Sequence, residues 1–292
     1  MSNNQDVDYR TGALFLIAGF AIIPFMDGAA KQLAQLGYAP VLIAWARFSV
    51  AALVLSPMLL RRGNMRQLWA PGAGLQILRA TFLAAATVLY FSAIETMPIA
   101  DALAVYFVYP FLMTAMAPLI LKESVGIKRF TAVIIGFAGS LLIIRPGFDV
   151  VPIGIYYVLI ASICFAMFNL LTRKLKGQSD PWFTVFYQSL VGTVVLAVFV
   201  PGNWTAPTPD AWALMGILIA AAIIGHWLVV RAFDYAPASF LAPFGHFEMI
   251  AAVAIGYFWF GDFPDEFTWA GIAVIASAGI YISRREKAKG VI

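Results

Sequence analysis

The chain has 292 residues, of which 62% are hydrophobic and only 12% are charged. This composition excludes an ordinary soluble domain, in which about a quarter of the residues are charged. Segments long enough to cross a bilayer core of about 30 Å recur along the whole chain, separated by short polar breaks. The sequence therefore predicts an all-α, polytopic membrane protein without a separate soluble domain.

Ten transmembrane helices are predicted. In chain order they cover residues 12–32, 40–60, 72–95, 99–121, 129–145, 152–173, 181–201, 211–234, 238–260 and 267–283. Proline stands at many junctions, where its missing N–H costs least. The loops are short, so consecutive helices should be antiparallel neighbours. The segments are apolar all round, which argues against the alternating strands of a β-barrel.

Lysine and arginine are distributed unevenly between the predicted loops. If the N-terminus is cytoplasmic, that side receives most of them, whereas the opposite side receives only Lys31 and Arg145. The positive-inside rule then places both termini in the cytoplasm, as expected in a bacterial inner membrane. The net charge of +4 describes this topology and contact with anionic lipid, and it does not indicate a nucleic-acid partner.

The two halves of the chain share a pattern. A helix that starts at proline, a turn with an acid, an aromatic residue and a helix rich in small residues occur in both, and Glu123 in the first half falls on Asp262 in the second. Five spans per half is an odd number, so the second half should cross the membrane in the opposite sense, as in inverted-repeat transporters. The predicted repeats are residues 1–145 and 146–292.

Several stretches carry a family resemblance, among them "ALFLIAGFAIIPFMDGAAK", "APVLIAWARFSVAALVL" and "GFAGSLLI". Over essentially its full length the chain resembles the EamA-type transporters of the drug/metabolite transporter superfamily. The resemblance implies ten helices arranged as two inverted five-helix repeats and, usually, export of a metabolite. Amino-acid exporters with an aromatic-lined site are the nearest functional model.

Polar residues and one proline match the pattern of that family in both halves: Arg47, Pro110, Glu123, Glu248 and Asp262. One position departs from it. The family often has proline directly after the glutamate of the ninth span, whereas Met249 stands there in this chain. A helix break in that span must then depend on Pro243.

Ionisable groups inside a span cost about 2.5 to 3.5 kcal/mol at the bilayer centre, so each should face protein or water. His246 and Glu248 lie two positions apart, about 200° around a helix, and cannot both face one cavity. We favour Glu248 as the cavity-facing group because it aligns with Tyr109, the residue before Pro110 in the first half. A protonated glutamic acid that caps helix carbonyls remains the alternative.

Three further charged residues are predicted inside spans. Arg47 is expected to be a structural tie to a carbonyl or to Asp27. Arg79 is expected either to extend its long side chain to the cytoplasmic interface or to bind a carboxylate of the substrate. Asp27 and Glu248 are possible proton sites. Burial disfavours a charged carboxylate, so we expect transport that does not require a proton gradient.

Aromatic rings with polar edges can line a cavity that accepts varied side chains, although lipid-facing filler explains any single Phe better. The substrate-binding candidates are Arg79, Tyr90, Tyr106, Tyr109, Phe165, Asn169, His226, Trp227, His246 and Glu248. Prolines inside spans allow hinging. The hinge or gate candidates are Pro24, Pro110 and Pro243.

The sequence lacks the motifs expected of other classes of membrane protein. No HExxH or GxSxG motif supports an intramembrane enzyme, no filter-like segment supports a channel, and no Walker motif supports ATP drive. The single cysteine, Cys164, excludes an intrachain disulfide, and no metal or cofactor is expected.

Small residues in spans five and ten, such as Gly139 and Gly271, permit close helix approach, either within the scaffold or in a homodimer.

The sequence therefore predicts a secondary transporter and no enzyme. Its expected substrates are amino acids, including aromatic or bulky ones, or similar small metabolites, exported by alternating access. A transporter that expels cationic drugs, with Glu248 as counter-charge, is the alternative. Both a monomer and a homodimer remain open.

Overall fold

The computed structural model describes residues 8–62, 72–122, 127–144, 152–175, 181–236, 241, 244 and 247–288. All regular structure among these residues is helical. The helices are α1 (Tyr9–Gln35), α2 (Pro40–Arg62), α3 (Ala73–Thr96), α4 (Ile99–Tyr106), α5 (Tyr109–Leu121), α6 (Ile127–Ile144), α7 (Ile153–Lys174), α8 (Pro181–Ala197), α9 (Pro209–Tyr235), α10 (Phe247–Phe260) and α11 (Glu266–Ala288). A short 3₁₀ turn, Pro201–Asn203, lies between α8 and α9.

Six described segments are long and apolar enough to cross a membrane. They are Tyr9–Gln35, Pro40–Pro57, Ala73–Thr96, Ile99–Leu121, Ile153–Lys174 and Pro209–Ala232, and shorter apolar helices accompany them. Large apolar side chains are directed outward, among them Leu119 at 83% and Phe258 at 84% exposure. Such a surface suits lipid and not water. The chain is therefore an all-helical, multi-pass membrane protein, as its composition predicts.

The predicted span 99–121 differs from expectation because it consists of two helices, α4 and α5. Pro110 lies in the first turn of α5 and has no N–H to donate to the carbonyl of Tyr106, four residues earlier. The hydroxyl of Ser162, on α7, lies 3.2 Å from that carbonyl. A side chain of a neighbouring helix thus contributes to satisfying the backbone group that the break leaves open.

The helices pack mainly in pairs that join the first half of the chain to the second. Helix α1 packs along α9, α3 along α7, α2 along α8, α4 along α10 and α6 along α11. When the halves are exchanged, the α1–α9 pair becomes the α7–α3 pair, and the other three pairs are unchanged. The interior of the bundle is therefore built between the halves and not within either one.

Glycine allows two of these pairs to approach closely. A Cβ atom on Gly19 of α1 would lie 2.9 Å from the carbonyl oxygen of Gly225 on α9. A Cβ atom on Gly271 of α11 would lie 2.7 Å from the carbonyl oxygen of Gly139 on α6. Real Cβ atoms essentially never come so near, so each contact requires glycine. The small residues of the fifth and tenth spans thus serve packing within the chain.

One end of the bundle is held by the ammonium group of Lys31, which is 5% exposed. Its Nζ donates to Asp262 Oδ2 at 2.6 Å and to the carbonyl of Met97 at 3.1 Å. It also lies 4.8 Å from the ring centroid of Phe260. These contacts join α1 to the residues that follow α3 and α10.

Tyr38 makes a second tie close to the C-terminal end of α1. Its hydroxyl donates to the carbonyl of Ala206 at 3.2 Å and accepts from the N–H of Thr208 at 2.9 Å. The loop after α1 is thereby attached to the segment before α9.

Candidate functional site

Four aromatic side chains from separate helices meet in the interior, and we call them the aromatic cluster: Tyr90, Tyr106, Tyr109 and Phe165. The Tyr106 ring lies 5.0 Å from Tyr90 and 5.7 Å from Tyr109, between centroids. Phe165, on α7, lies 5.3 Å from Tyr106 and packs edge-on against Tyr109 at 4.7 Å. Tyr106 and Tyr109 stand on the two sides of the break between α4 and α5, so the break brings both rings to Phe165.

Charged side chains of three other helices face this cluster. Glu248, on α10, is within electrostatic range of Tyr90, Tyr106 and Tyr109. Asp27, on α1, is within electrostatic range of both Glu248 and Arg47. Two carboxyl groups and the guanidinium group of Arg47 therefore lie near one set of rings. This arrangement can recognise a small molecule that carries charges of both signs and an aromatic or bulky apolar part.

Arg47 is half-buried on α2 and was not among the expected binding residues. Its guanidinium group lies 5.6 Å from the ring centroid of Phe48 and is within electrostatic range of Asp27 and Tyr106. It forms no hydrogen bond or ion pair with any described residue. The expected structural tie to Asp27 is thus not made, and the signal for a binding role was the charge itself in the middle of an apolar span.

Arg79 does not reach the membrane interface, so the expectation of an extended, solvent-seeking side chain is wrong. It is 1% exposed because acceptors on two neighbouring helices hold it inside. Its guanidinium donates at 3.1 Å to Thr172 Oγ1 on α7 and at 3.1 Å to the carbonyl of Thr184 on α8. It also lies 5.2 Å from the ring of Phe168, which stacks on Phe165 of the aromatic cluster.

Asn169 lies beside the cluster, with its amide occupied by its own helix. The Nδ2 group donates to the carbonyl of Phe165 at 2.7 Å. Its contribution to binding stays a prediction.

The two expected residues on α9 have different surroundings. His226 Nδ1 lies 2.7 Å from the carbonyl oxygen of Ala222, and the imidazole is within electrostatic range of Arg47. Trp227 is instead packed edge-on against Phe15 of α1 at 6.3 Å and is 46% exposed. The structure therefore gives His226 an electrostatic link to Arg47 from an exposed position on α9, and it gives no such link for Trp227.

The three candidate hinge prolines have different surroundings. Pro24 is buried within α1, one turn before Asp27, and Pro110 begins α5 beside the aromatic cluster. Pro243 and His246 lie outside the described residues. Only Pro110 coincides with an observed break among the candidate hinges that the structure describes.

A multi-pass helical bundle with a polar, ring-lined interior defines the class of a membrane transporter. The sequence profile of one family matches residues 10–145 and again residues 152–284. The chain belongs to the EamA-like transporter family. It is accordingly a transporter and not an enzyme, as the sequence predicts.

Relatives of known name are similar over most of their length. The S-adenosylmethionine uptake transporter of Rickettsia bellii is 28% identical over 84% of each chain. The riboflavin transporter of Vibrio cholerae is 27% identical over 95% of this chain and 94% of its own. The pseudopaline exporter of Pseudomonas aeruginosa is 24% identical over 95% of this chain and 98% of its own. The three names refer to three different small molecules, so they identify the class of protein and not one substrate.

A solved crystal structure has the same fold. It superposes on 94% of this chain and 98% of its own with a TM-score of 0.63, at 16% sequence identity. At that identity the likeness concerns fold alone.

Proposed function

We propose that the protein is a secondary transporter that exports amino acids, including aromatic or bulky ones, or similar small metabolites. The observation that carries this proposal is the meeting of Arg47, Asp27 and Glu248 beside the aromatic cluster. An amino acid offers a carboxylate, an ammonium group and a side chain. The interior offers a guanidinium group for the carboxylate, carboxyl groups for the ammonium group, and aromatic rings for the side chain.

Arg47 is the proposed partner of the substrate carboxylate. A guanidinium group presents a fork of donors that matches a carboxylate, and Arg47 has no competing ion pair among the described residues. His226, an exposed residue of α9, is within electrostatic range of Arg47. The carboxylate would therefore enter between α2 and α9.

The aromatic cluster is the proposed contact for the substrate side chain. Its rings are 4.7 to 5.7 Å apart, close enough to form one apolar surface. Tyrosine hydroxyls at its edge would accept polar substituents, which favours a range of substrates. The name of the Rickettsia relative is compatible with this, because S-adenosylmethionine joins an amino-acid group to a heteroaromatic ring.

Alternating access would follow from an inverted repeat of ten spans, with α4 and α5 counted as one. Support comes from the helix pairs, which keep their pattern when the halves are exchanged. The two profile matches in one chain are compatible with a repeat of five spans. A site between two such halves can open to either side when one half rocks against the other.

We place the protein in a bacterial inner membrane with both termini in the cytoplasm, on the lysine and arginine distribution. The Lys31 end of the bundle then faces outward, and so does Asn203 in the exposed 3₁₀ turn. With Cys164 replaced by serine, a cysteine at position 203 should react with an impermeant thiol reagent in intact cells. Protection of that cysteine until the cells are opened would contradict this orientation.

Counterflow in proteoliposomes tests the transport activity. Vesicles loaded with phenylalanine should accumulate labelled phenylalanine and tryptophan, and sugars and nucleosides should compete poorly. Arg47→Gln should reduce phenylalanine counterflow by about tenfold or more, as expected for a lost charge-assisted contact. Arg231→Gln is the control, because that guanidinium group is exposed and pairs with Asp234 on its own helix.

A second candidate function is efflux of cationic compounds. Two carboxyl groups beside aromatic rings favour it, with Glu248 as the counter-charge. Counterflow confined to lipophilic cations and unaffected by Arg47→Gln would establish this alternative and reject amino-acid transport.

A further inference from the structure

Asp27 is a buried carboxyl group without a partner. It is 2% exposed, it forms no hydrogen bond or ion pair with any described residue, and its Oδ1 atom is fully enclosed. A buried polar atom that lacks a partner destabilises a fold, and a carboxylate does so most. Such a group is retained where a ligand supplies the missing contact.

The nearest cation along the helix is not available to Asp27. Lys31 lies one turn further on α1, the spacing at which an aspartate and a lysine commonly pair. Its ammonium group is instead bonded to Asp262 at 2.6 Å and to the carbonyl of Met97 at 3.1 Å. Arg47 is within electrostatic range of Asp27 but forms no ion pair with it.

A second unpartnered group lies on the neighbouring helix α3. Tyr90 is 7% exposed, and its buried hydroxyl has no hydrogen-bond partner among the residues that the structure describes. The hydroxyl is within electrostatic range of Asp27 and Glu248, while the ring packs 5.0 Å from Tyr106. The two buried groups thus belong to one part of the interior, at the edge of the aromatic cluster.

The chemistry of these groups selects the ligand. A carboxylate and a tyrosine oxygen both accept hydrogen bonds, and a second carboxyl group, on Glu248, is within electrostatic range of both. An ammonium group has three donors and a positive charge, and it is attracted to the faces of tyrosine rings. A carboxylate or phosphate would instead be repelled by Asp27.

We infer that Asp27 and Tyr90 form a subsite for the primary ammonium group of the transported molecule, near Glu248. This inference rests on the proposed function and adds to it a requirement in the substrate. The Asp27 carboxylate accepts one or two hydrogen bonds from the ammonium group, and the Tyr90 hydroxyl oxygen accepts another. The substrate carboxylate remains with Arg47, so the two ends of an amino acid are bound by different helices.

Three compounds that share a phenyl ring distinguish binding of the ammonium group from binding of the carboxylate. Phenylalanine carries both groups, 2-phenylethylamine only the ammonium group, and 3-phenylpropionate only the carboxylate. Each is used unlabelled to inhibit phenylalanine counterflow by the full chain in proteoliposomes. For the unaltered protein, we expect all three to inhibit, with phenylalanine the most effective.

Asp27→Asn should weaken inhibition by 2-phenylethylamine by about tenfold or more, because a charge-assisted contact becomes a neutral one. Inhibition by 3-phenylpropionate should change less than about twofold, which a general loss of folding would not permit. Tyr90→Phe, which keeps the ring, should weaken inhibition by the amine by about threefold or more and spare the acid. Binding of each compound to the purified variants, read from its shift of the unfolding temperature, covers a variant with too little counterflow.

Glu95→Gln is the matched control, because that exposed carboxylate lies near the end of α3 outside the interior. It should leave all three inhibition constants unchanged. Equal weakening of amine and acid by Asp27→Asn, or unchanged inhibition by the amine, would overturn the ammonium subsite and leave the proposed function standing. Absence of phenylalanine counterflow by the unaltered protein would overturn both, whereas failure of 2-phenylethylamine alone to inhibit it would overturn only the ammonium subsite.

Discussion

Asp27 and Lys31 are buried charged residues one turn apart on α1, and their surroundings are opposite. Lys31 touches a carboxylate, a carbonyl oxygen and an aromatic ring, whereas Asp27 makes no hydrogen bond or ion pair with a described residue. A pair of this spacing would commonly bond to itself. Here the lysine is directed to the end of the bundle, and the aspartate remains in the interior.

The difference separates two uses of a polar group in a membrane. Groups at the Lys31 end have partners and hold helices together, as Tyr38 also does with Ala206 and Thr208. Several groups in the interior lack hydrogen-bond partners in the described part of the chain, including Asp27 Oδ1, Trp45 Nε1, Ser49 Oγ and Tyr90 OH. Removing a polar group that has a partner should therefore lower the free energy of unfolding. Removing an interior polar group that has none should change it little.

Lys31→Met should have the largest effect on stability. It leaves the carboxylate of Asp262 without its cation in a partly buried place. We expect a loss of about 2 to 3 kcal/mol, less than for a fully enclosed pair because the Asp262 side chain keeps 30% exposure. Unfolding of the purified protein in mixed micelles, titrated with a denaturing detergent, measures the change.

The exposed pair of Arg231 and Asp234 is the control for Lys31. Both side chains are at least 40% exposed, so Asp234→Asn should cost less than about 1 kcal/mol. The double variant Lys31→Met with Asp262→Leu should lose less stability than the two single changes added together. Simple additivity would show that the ion pair does not hold the end of the bundle.

Helices could be predicted from the sequence because their signals are local. Apolar length and the prolines at junctions gave helix bounds that agree with α2, α3, α7 and α9 to within two residues. The break within the fourth span was not expected as two helices. The break lies at Pro110, but the carbonyl that it leaves open is contacted by Ser162 of another helix. No local pattern contains that contact.

The rings of the candidate site were easier to propose from the sequence than its charged groups. Tyrosine is uncommon in apolar spans, so the three tyrosines could be picked out from the sequence. The structure brings these rings together with a phenylalanine in one cluster: Tyr90, Tyr106, Tyr109 and Phe165. The free guanidinium group of Arg47 could not be predicted, since it depends on which charged residues its neighbours engage. The same reason explains Arg79, whose acceptors are a hydroxyl and a carbonyl on other helices.

Tyr38→Phe should have a smaller effect on stability than Lys31→Met. The change removes the acceptor of the Thr208 N–H and the donor to the Ala206 carbonyl at the same end of the bundle. A loss of about 1 to 2 kcal/mol is expected, measured by the same titration. Tyr156→Phe is the control, because that ring is 53% exposed and should change stability by less than about 0.5 kcal/mol. Equal losses at positions 38 and 156 would remove Tyr38 from the set of ties.

Ser49→Ala should have the smallest effect and tests the interior side of the contrast. The Ser49 hydroxyl is enclosed and has no hydrogen-bond partner among the described residues, so its removal eliminates no hydrogen bond to them and leaves none of their groups unsatisfied. We expect the free energy of unfolding to stay within about 0.5 kcal/mol or to rise slightly. Ser162→Ala makes the same change in composition where the hydroxyl reaches the Tyr106 carbonyl, and should lower it by about 1 kcal/mol. A loss at Ser49 as large as that at Ser162 would mean that the interior hydroxyl is bonded in the membrane, and the distinction between tied ends and an open interior would fail at that residue.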